Sequence, residues 1–316
     1  MPQILKEAIF PELPNYYRGK VRDNYDLPDG RRVIITTDRL SAFDRPICEI
    51  PDKGRILTAL ARYWFMMTAE VCPNHLLDYP DPNVLIVKRL RIFPVEFVMR
   101  DYLAGTTSTS VLSMYKAGQR KIYGCDYPDG LIDNQKLPWT VITPTTKGEH
   151  DEPIFRDEII ERGLMTWRQY IDVQTASLRL FKIGQETARK AGLILADTKY
   201  EFGLDDDDQI ILADEIHTPD SSRYWFADTY AERITQGEPP DSFDKDIIRR
   251  WLSARCDPYH DDIPEIPDDL IAETRKTYAD AYHRITGQPF HPYDLDEPII
   301  DRVRRNLMEW YHTTKK

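Results

Sequence analysis

The 316-residue chain carries 53 acidic and 42 basic side chains, a net charge of −11, and its 41% hydrophobic content is typical of a globular protein. The acidic balance disfavours nucleic acid as a partner, which needs a basic surface, and the apolar runs are far too short for a membrane helix. Four cysteines lie far apart without a CxxC pair. No signal peptide is evident, so we expect reduced thiols in a cytoplasmic protein.

The N-terminal region predicts an antiparallel hairpin. Tyr16–Leu27 has the pattern of a strand, Pro28–Arg31 that of a tight turn, and Val33–Thr37 that of a second strand. Lys20 and Arg22 are expected to share one strand face, where they suit nucleotide phosphates, although basic pairs on exposed strands are also common. The chain has neither a Walker A loop nor a GxGxxG motif after a strand, which disfavours P-loop and Rossmann nucleotide binding.

The second predicted strand leads directly into a polar segment. Asp38 at the strand end has the position of a site residue, whereas Ser41 with Asp44 also fits a local helix cap. The segment Gly54–Val71 then predicts an amphipathic helix whose Leu, Trp, Phe and Met side chains belong to the core.

Two further strands are predicted at Val84–Ile92 and Val95–Leu103, and the second ends near a group of hydroxyl side chains. Five consecutive Ser or Thr residues, 106–110, follow Gly105. With Arg100 they suit a pocket for a phosphate monoester, and an ordinary Ser/Thr helix N-cap explains them equally well.

A polar loop and a long helical segment occupy the middle of the chain. The loop Pro138–Pro153 contains Lys147, His150 and Asp151, and a lone His in such a loop usually only forms hydrogen bonds. Neither an HExxH motif nor a spaced Cys/His set is present, so zinc is not expected. Residues Glu158–Lys190 have a helical pattern that ends just before a glycine.

Two apolar runs, Leu193–Ala196 and Ile210–Ala213, each end in acidic residues and predict a hairpin with a solvated, Asp-rich loop. Residues two apart in a strand share a face. Asp197, Lys199 and Glu201 are therefore expected on one charged face of the first strand.

The predicted pairing brings Asp214 and Glu215 from the second strand close to this charged face. Carboxylates about 6–7 Å apart repel by roughly 2–3 kcal/mol at an effective dielectric near 20, and one lysine cannot neutralise them all. A divalent cation can, and carboxylate oxygens suit Mg²⁺, which takes its other ligands from phosphates and water. A solvated sheet edge is the alternative. The segment Thr218–Arg223 favours the metal–phosphate site, because it adds hydroxyls and an arginine suited to an anion.

The C-terminal part of the chain is predicted to be helical. Amphipathic patterns cover Asp244–Arg255, Asp268–Ile285 and Pro298–Thr313, and Pro-rich links join them. We expect this tail to pack across the rest of the molecule.

Seven sequence words, in this order, resemble the motifs of the SAICAR synthetase (phosphoribosylaminoimidazole-succinocarboxamide synthase) family. Each word alone is weak, but their common order over residues 18–245 makes the resemblance specific. The words are RGKVRD (Arg18–Asp23), TDRLSAFD (Thr37–Asp44), RDYLAGTTSTS (Arg100–Ser110), PTTKGEHDE (Pro144–Glu152), DTKYEFG (Asp197–Gly203), ADEIHTPDSSRYW (Ala213–Trp225) and SFDK (Ser242–Lys245).

The resemblance implies an α+β fold with an antiparallel-sheet nucleotide lobe at 1–98, a central α/β lobe holding the CAIR and metal sites at 99–225, and C-terminal helices at 226–316. It implies an ATP-dependent ligase of de novo purine biosynthesis, which joins L-aspartate to the carboxylate of CAIR through an acyl phosphate. Its partners would be CAIR, L-aspartate and ATP with Mg²⁺. The expected assembly is a monomer or a small homo-oligomer, with no nucleic-acid or membrane partner.

Two alternatives to the ligase are a small-molecule kinase on a similar scaffold and a non-catalytic nucleotide-binding protein. The segment Glu201–Gly203 is similar to the kinase Asp-Phe-Gly metal motif, but no HRD-type catalytic loop accompanies it. A kinase also needs a base to take the acceptor proton, whereas a carboxylate acceptor needs none. A non-catalytic relative is expected to have lost its metal ligands, and Glu201 and Asp214 are both present.

The resemblance also implies roles for individual residues. Lys20 and Arg22 are expected to contact ATP phosphates, and Glu201 and Asp214 to bind Mg²⁺ beside Lys199. The proposed CAIR ligands are Arg100, Thr106 and Arg223 for the phosphate and Asp220 for a ribose hydroxyl. The remaining motif positions that line the cleft are Asp38, Ser41 and Lys245, and Asp38, Lys199 and Lys245 are the catalytic candidates. Candidates for the aspartate pocket are Thr107–Ser110 and Pro144–Asp151.

The chain departs from the family pattern at two positions. Asp52 stands where the family usually has the first glycine of Pro-Gly-Lys-Gly, a replacement that a positive φ tolerates. This change places a carboxylate near the expected nucleotide side and is expected to alter ATP affinity. Thr106 stands where several members carry Ser, which keeps the hydroxyl.

Overall fold

The computed structural model describes residues 3–43, 45–105, 107, 109–148, 152–243, 246–291 and 297–314. These residues form a mixture of helices and sheets in which each named strand pair is antiparallel. The predicted α+β class is confirmed. In the part of the chain described, no helix is both long and apolar enough to cross a membrane.

The strands follow one another along the chain with short connections. The strands are β1 (Tyr16–Arg18), β2 (Arg22–Asp26), β3 (Arg31–Thr36), β4 (Arg39–Ala42), β5 (Arg45–Glu49), β6 (Leu76–Asp81), β7 (Val84–Lys88), β8 (Arg91–Ile92), β9 (Val95–Tyr102), β10 (Lys121–Ile122), β11 (Cys125–Asp126), β12 (Lys136–Thr146), β13 (Leu193–Leu204), β14 (Ile210–Ala213) and β15 (Ser222–Phe226). The helices are α1 (Lys53–Met67), α2 (Val111–Lys116), α3 (Arg156–Glu161), α4 (Trp167–Lys190), α5 (Ala227–Thr235), α6 (Asp246–Ser253), α7 (Asp268–Thr286) and α8 (Ile299–Thr314).

The chain divides into two compact units that interleave along the sequence. The first unit comprises Met1–Tyr63, His75–Arg89 and Asp244–Lys316, and the second comprises Trp64–Asn74 and Leu90–Phe243. The division predicted from the sequence, at 1–98, 99–225 and 226–316, stays a prediction.

The first unit is built on a five-stranded sheet in the order β1-β2-β3-β7-β6. Val33 and Ile35 on β3, two residues apart, bury one face of this sheet. Helix α8 adds Val303 and Leu307 to the same core cluster. Its Arg302 guanidinium lies 3.0 Å from an Asp81 carboxylate oxygen, and both side chains are buried. The C-terminal helix is therefore part of this unit's core.

The second unit is built around β13, which pairs with β8, β9, β14 and β15, while β12 extends the sheet beyond β9. The predicted hairpin is present, and its register sets Glu201 opposite Ala213. Helix α4 begins at a capping box on Thr166 and packs closely on β13, since a Cβ at Gly184 would lie 2.7 Å from Leu195 Cδ2.

Three predicted elements are each divided in the structure. The strand predicted at Val84–Ile92 is two strands, β7 and β8, which pair in different sheets. The strand predicted at Tyr16–Leu27 is interrupted by a turn at residues 19–21, where the Gly19 amide donates to the Arg22 carbonyl at 2.8 Å. Lys20 lies in this turn, so it does not share a strand face with Arg22. The helix predicted at Glu158–Lys190 is two helices, α3 and α4, separated by a break before the Thr166 cap.

Two local predictions near α1 are wrong. Ser41 lies in β4 and does not begin a helix, and Asp44 is outside the described residues. The methionines predicted to belong to the core, Met66 and Met67, are 64% and 50% exposed, whereas Trp64 and Phe65 are buried as expected.

Candidate active site

One face of β13 carries a cluster of charged side chains around Glu201. Lys199 Nζ lies 2.9 Å from Glu96 Oε1 and 3.3 Å from Glu201 Oε1. Lys147, just beyond the end of β12, pairs through its Nζ with Glu201 Oε2 and lies 3.9 Å from Glu96 Oε1. Each oxygen of the Glu201 carboxylate therefore faces an ammonium group.

The acidic groups of this cluster influence one another electrostatically. Burial and the Asp214 carboxylate raise the pKa of Glu201, and the ammonium groups of Lys199 and Lys147 oppose that rise only in part. Burial by itself lowers the pKa of Lys199, but the carboxylates of Glu201, Glu96 and Asp214 outweigh it and raise that pKa. The carboxylate crowding expected from the sequence is present.

Glu201 and Asp214 fit the needs of a Mg²⁺ ion that is shared with a substrate. Within the described residues, no group of three or more His, Cys, Asp or Glu side chains forms a complete metal site. Mg²⁺ is commonly held by one or two carboxylates, with phosphates and water as its other ligands. Because the neighbouring ammonium groups offset the repulsion of this carboxylate pair only in part, the pair is suited to an ion that arrives with a phosphate.

The other end of the same strand face holds two arginines. Asp197 on β13 is set opposite Arg100 of β9 on one side and Arg223 of β15 on the other. Asp197 Oδ2 accepts hydrogen bonds from Arg100 Nη1 at 2.6 Å and from Arg223 Nη1 at 2.5 Å. The Arg100 Nε also donates to Thr143 Oγ1 at 3.0 Å. Two predicted phosphate ligands are thus brought together and fixed in orientation.

The hydroxyls after Asp214 bond mainly to one another. Thr218 Oγ1 donates to Glu215 Oε2 at 2.6 Å, and the Asp220 amide donates to Thr218 Oγ1 at 3.3 Å. The Ser222 and Thr198 hydroxyl oxygens lie 2.8 Å apart. These groups hold the turn that carries Asp220, so the hydroxyls expected to suit an anion are engaged within the protein.

The hydroxyl-rich segment after β9 contains a helix cap. The Ser110 side chain accepts from the Ser113 amide and so caps α2, which confirms the N-cap alternative for this residue. Thr107 and Thr109 hydroxyl oxygens lie 3.0 Å apart. Thr106, predicted as a phosphate ligand, lies outside the described residues.

Asp38 in the first unit is buried, and its carboxylate joins two backbone segments through hydrogen bonds. Its Oδ2 accepts from the Leu5 amide at 2.8 Å, and its Oδ1 accepts from the Gly54 amide at 2.9 Å. A Cβ at Gly54 would lie 2.3 Å from the Thr36 carbonyl oxygen, so only glycine allows this approach of α1. Burial is the main cause that raises the pKa of Asp38 to about 6. The geometry favours a structural role, and the predicted catalytic role stays a prediction.

The remaining predicted residues of the first unit are more dispersed. Lys20 is exposed in the turn after β1, and Arg22 is half-buried at the start of β2, opposite Thr36. Ser41 is half-buried in β4. Lys245 lies outside the described residues.

Asp52 has the backbone conformation that its replacement of a glycine requires. Its φ is 67°, a left-handed value that Asp tolerates better than most residues. The carboxylate is buried and pairs with Arg55 of α1 and Arg275 of α7. The expected carboxylate is therefore neutralised by two guanidinium groups.

Sequence reasoning missed two functional candidates that this geometry reveals. The strand alternation predicts Asp197 on the charged face but does not indicate that its carboxylate joins Arg100 and Arg223. Glu96 was not singled out, although it faces Lys199. Its signal in the sequence was an acidic residue between Val95 and Phe97 in a strand that is otherwise apolar at this point.

Comparison with known proteins settles the family. The profile of the SAICAR synthetase family matches residues 15–266, most of the chain. The chain belongs to the SAICAR synthetase family. A protein of Agrobacterium fabrum, provisionally named phosphoribosylaminoimidazole-succinocarboxamide synthase 2, is 60% identical over 98% of this chain and 99% of its own length.

Solved structures agree with this assignment. The SAICAR synthase of Saccharomyces cerevisiae, complexed with SAICAR, is 31% identical with a TM-score of 0.76, covering 90% of this chain and 99% of the yeast chain. A SAICAR synthetase in complex with ADP is 26% identical with a TM-score of 0.67, over 88% of this chain and 100% of that one. The predicted SAICAR synthetase-like fold and the predicted ATP-dependent ligase of purine biosynthesis are confirmed at the level of the family. The kinase and non-catalytic alternatives are not favoured.

Proposed function

We propose that this chain joins L-aspartate to the carboxylate of CAIR, with ATP cleaved to ADP and phosphate. The observation that carries the proposal is the charged face of β13, with an arginine pair at Asp197 and a carboxylate pair at Glu201. Four residues of strand separate these positions by about 13 Å. This arrangement suits a substrate with a phosphate at one end and the reacting carboxylate towards the other, as CAIR has.

The chemistry explains why such a site is needed. A carboxylate resists attack by an amine because its oxygen is a poor leaving group. Transfer of the ATP γ-phosphate to that oxygen gives an acyl phosphate, and attack by the aspartate amine then forms the amide and releases phosphate. The protein must hold crowded anions together and keep water from the activated acyl group.

We assign the residues of the second unit as follows. Arg100 and Arg223 bind the CAIR phosphate, and Asp220 binds a ribose hydroxyl. Glu201 and Asp214 hold Mg²⁺, which when bound neutralises charge on the transferring phosphate. Lys199 offsets charge beside them, since its ammonium already bridges Glu96 and Glu201.

We assign Lys20 and Arg22 of the first unit to ATP phosphates and Ser41 to substrate binding, and we keep Asp38 and Lys245 as catalytic candidates. Thr106 remains a proposed CAIR ligand. The aspartate pocket is proposed at residues 107–110 or 144–151. A cytoplasmic location and a monomer or small homo-oligomer complete the proposal, and the assembly is measurable by light scattering.

The test is ADP release from ATP, Mg²⁺ and CAIR, with and without L-aspartate, while the imidazole product is followed by absorbance. Product formed in equal amount to ADP, and only with aspartate, supports the ligase. ADP release with CAIR in the absence of aspartate would point to an acyl phosphate lost to water or to a kinase-like activity. Absence of turnover in folded protein that binds ATP would leave only nucleotide binding.

A further inference from the structure

The loop that joins β14 to β15 contains an unfavourable arrangement at His217. Asp214 and His217 have φ values of 60° and 55°, a left-handed conformation that is uncommon outside glycine, although Asp and His adopt it more readily than most residues. The His217 side chain is fully buried, and its Nδ1 atom has no hydrogen-bond partner within the described residues. Backbone strain and an unsatisfied buried nitrogen both oppose folding, and such features concentrate at functional sites.

The His217 ring occupies a closely fitting slot. Its Nε2 lies 2.5 Å from the Tyr200 hydroxyl oxygen, and the Trp64 ring meets it edge-on at 4.6 Å between centroids. On the α4 side, a Cβ at Gly184 would lie 2.6 Å from His217 Cε1, so a glycine is needed there. Three separate elements, α1, α4 and β13, thus fix one imidazole ring.

The His217 backbone is also fixed. Its carbonyl accepts from the Tyr224 hydroxyl at 2.7 Å, and the next amide, that of Thr218, donates to Ser221 Oγ at 3.1 Å. Asp214 precedes this anchored point and Arg223 follows it on β15. The anchor therefore sits between the proposed metal ligand and the proposed phosphate ligand.

We propose that His217 is a positioning residue for the ligation reaction. The slot and the bond to Tyr200 hold the loop so that Asp214 and Arg223 keep the separation that the metal and the substrate phosphate require. This inference rests on the proposed function, and it adds a residue that contacts neither ligand. It also gives a reason for the strained backbone, since a relaxed loop would place Asp214 differently.

The test uses two variants of the full chain. His217→Asn removes the ring, and Asn is among the residues that best tolerate a left-handed backbone. Tyr200→Phe removes only the hydroxyl that holds the ring. Mn²⁺ binding in the presence of ADP is measured by electron paramagnetic resonance, and SAICAR binding by calorimetry. We expect both dissociation constants to rise in both variants, by about tenfold or more in the Asn variant.

A matched control separates positioning from general stability. Tyr25→Phe removes a buried hydroxyl in the first unit that bonds to the Phe10 amide and the Ala8 carbonyl. We expect it to lower the melting temperature and leave both affinities unchanged.

Unchanged affinities in folded Tyr200→Phe and His217→Asn proteins would overturn the proposal. Weaker binding of only one of the two ligands, Mn²⁺ with ADP or SAICAR, would overturn it as well. If the Asn variant does not fold, the Phe variant decides alone. A wild-type protein that binds neither Mn²⁺ with ADP nor SAICAR would contradict the proposed function, and the positioning proposal with it.

Discussion

Asp197 is the residue around which the proposed phosphate pocket is organised. Its carboxylate holds Arg100 and Arg223 from the two neighbouring strands, and two guanidinium groups with one carboxylate leave one positive charge. Because both arginines are largely buried, an anion that reaches them is only weakly screened by solvent. The pocket is thus ordered before the substrate arrives.

Arg223→Ala is expected to weaken CAIR binding without affecting ATP. A charge-assisted hydrogen bond contributes about 1.5–3 kcal/mol, so the KM for CAIR should rise roughly tenfold to a hundredfold. Steady-state kinetics with each substrate varied in turn measures this. Arg91→Ala is a matched control, because Arg91 is exposed and pairs only at the surface with Asp208. A rise in the ATP KM alone would remove Arg223 from the phosphate pocket.

Lys147 is expected to compete with the metal for Glu201. Its ammonium pairs with Glu201 Oε2, and 32% of its side chain is exposed. Lys147→Met should tighten Mn²⁺ binding by about threefold or more, because a like charge is removed from the cation site. Titration of nucleotide-free protein with Mn²⁺ gives the constant. Lys116→Met, at an exposed pair with Asp133, is the control. Weaker Mn²⁺ binding in the Lys147 variant would show that this lysine supports the site instead.

At the residue scale, the sequence predicted the charged face of β13 but not the residues of neighbouring strands that pair with it. The alternation in β13 was enough to group Lys199 with Glu201, and the hairpin brought Asp214 beside them. The pairing of Asp197 with Arg100 depends on the register between β9 and β13, strands separated by nearly a hundred residues. Local patterns carry no information on such a register, so Asp197 and Glu96 were missed.

At the element scale, α7 is tied to the start of α1 by Asp52. Arg275 Nε lies 2.9 Å from Asp52 Oδ2, and the Tyr278 ring lies 5.8 Å from Lys53 Nζ. Arg275 and Tyr278 are three residues apart and therefore share a face of α7. Asp52, at a position where the resemblance predicts a glycine, thus supplies a contact between the start of α1 and α7.

The Asp52–Arg275 pair is expected to contribute to stability. In a double-mutant cycle with Asp52→Asn and Arg275→Met, we expect a coupling energy of about 1 kcal/mol, discounted because Arg275 is one-third exposed and Arg55 remains. Urea unfolding of the four proteins measures it. The exposed pair Glu12–Arg304 should show no measurable coupling. Absence of coupling at Asp52 would mean that α7 is held by its apolar contacts alone.

The long helices of the tail were predicted well, whereas the segment Pro138–Pro153, predicted as a polar loop, begins as part of strand β12. The helices of the tail appear as α6, α7 and α8 close to their predicted bounds, because their amphipathic patterns are long. The division at residues 19–21 and the break before Thr166 were missed, since a short turn alters the pattern of only a few residues.

At the scale of the whole molecule, the free energy of unfolding is expected to depend on pH because His217 is buried. Burial lowers its pKa from 6.5 to about 3, so the folded state excludes a proton that the unfolded chain binds. The free energy of unfolding therefore carries no penalty from His217 above pH 6.5, and it decreases as the pH falls from 6.5 towards 3. Asp38, with a raised pKa, acts in the opposite direction but is common to wild type and variant.

Between pH 7 and pH 5, wild type should therefore lose about 2 kcal/mol more stability than His217→Asn. Urea unfolding of both proteins at the two pH values measures the difference. Equal losses would show that His217 titrates normally and that its slot opens to solvent.

The interleaving of the two units could not be predicted from the sequence. Packing of α8 on the first sheet joins Val303 and Leu307 to Val33 and Ile35, residues from opposite ends of the chain. An apolar helix face predicts that the helix packs against another element, but it does not identify that element. The family resemblance gave the fold class, and composition alone could not have done so.

The most direct test of the proposed chemistry follows the oxygen atoms of CAIR. CAIR with a heavy oxygen isotope in its carboxylate is incubated with the protein, ATP, Mg²⁺ and L-aspartate, and the released phosphate is analysed by mass spectrometry. If the carboxylate is activated as an acyl phosphate, each phosphate released with SAICAR carries one carboxylate oxygen. Formation of SAICAR with unlabelled phosphate would contradict the account.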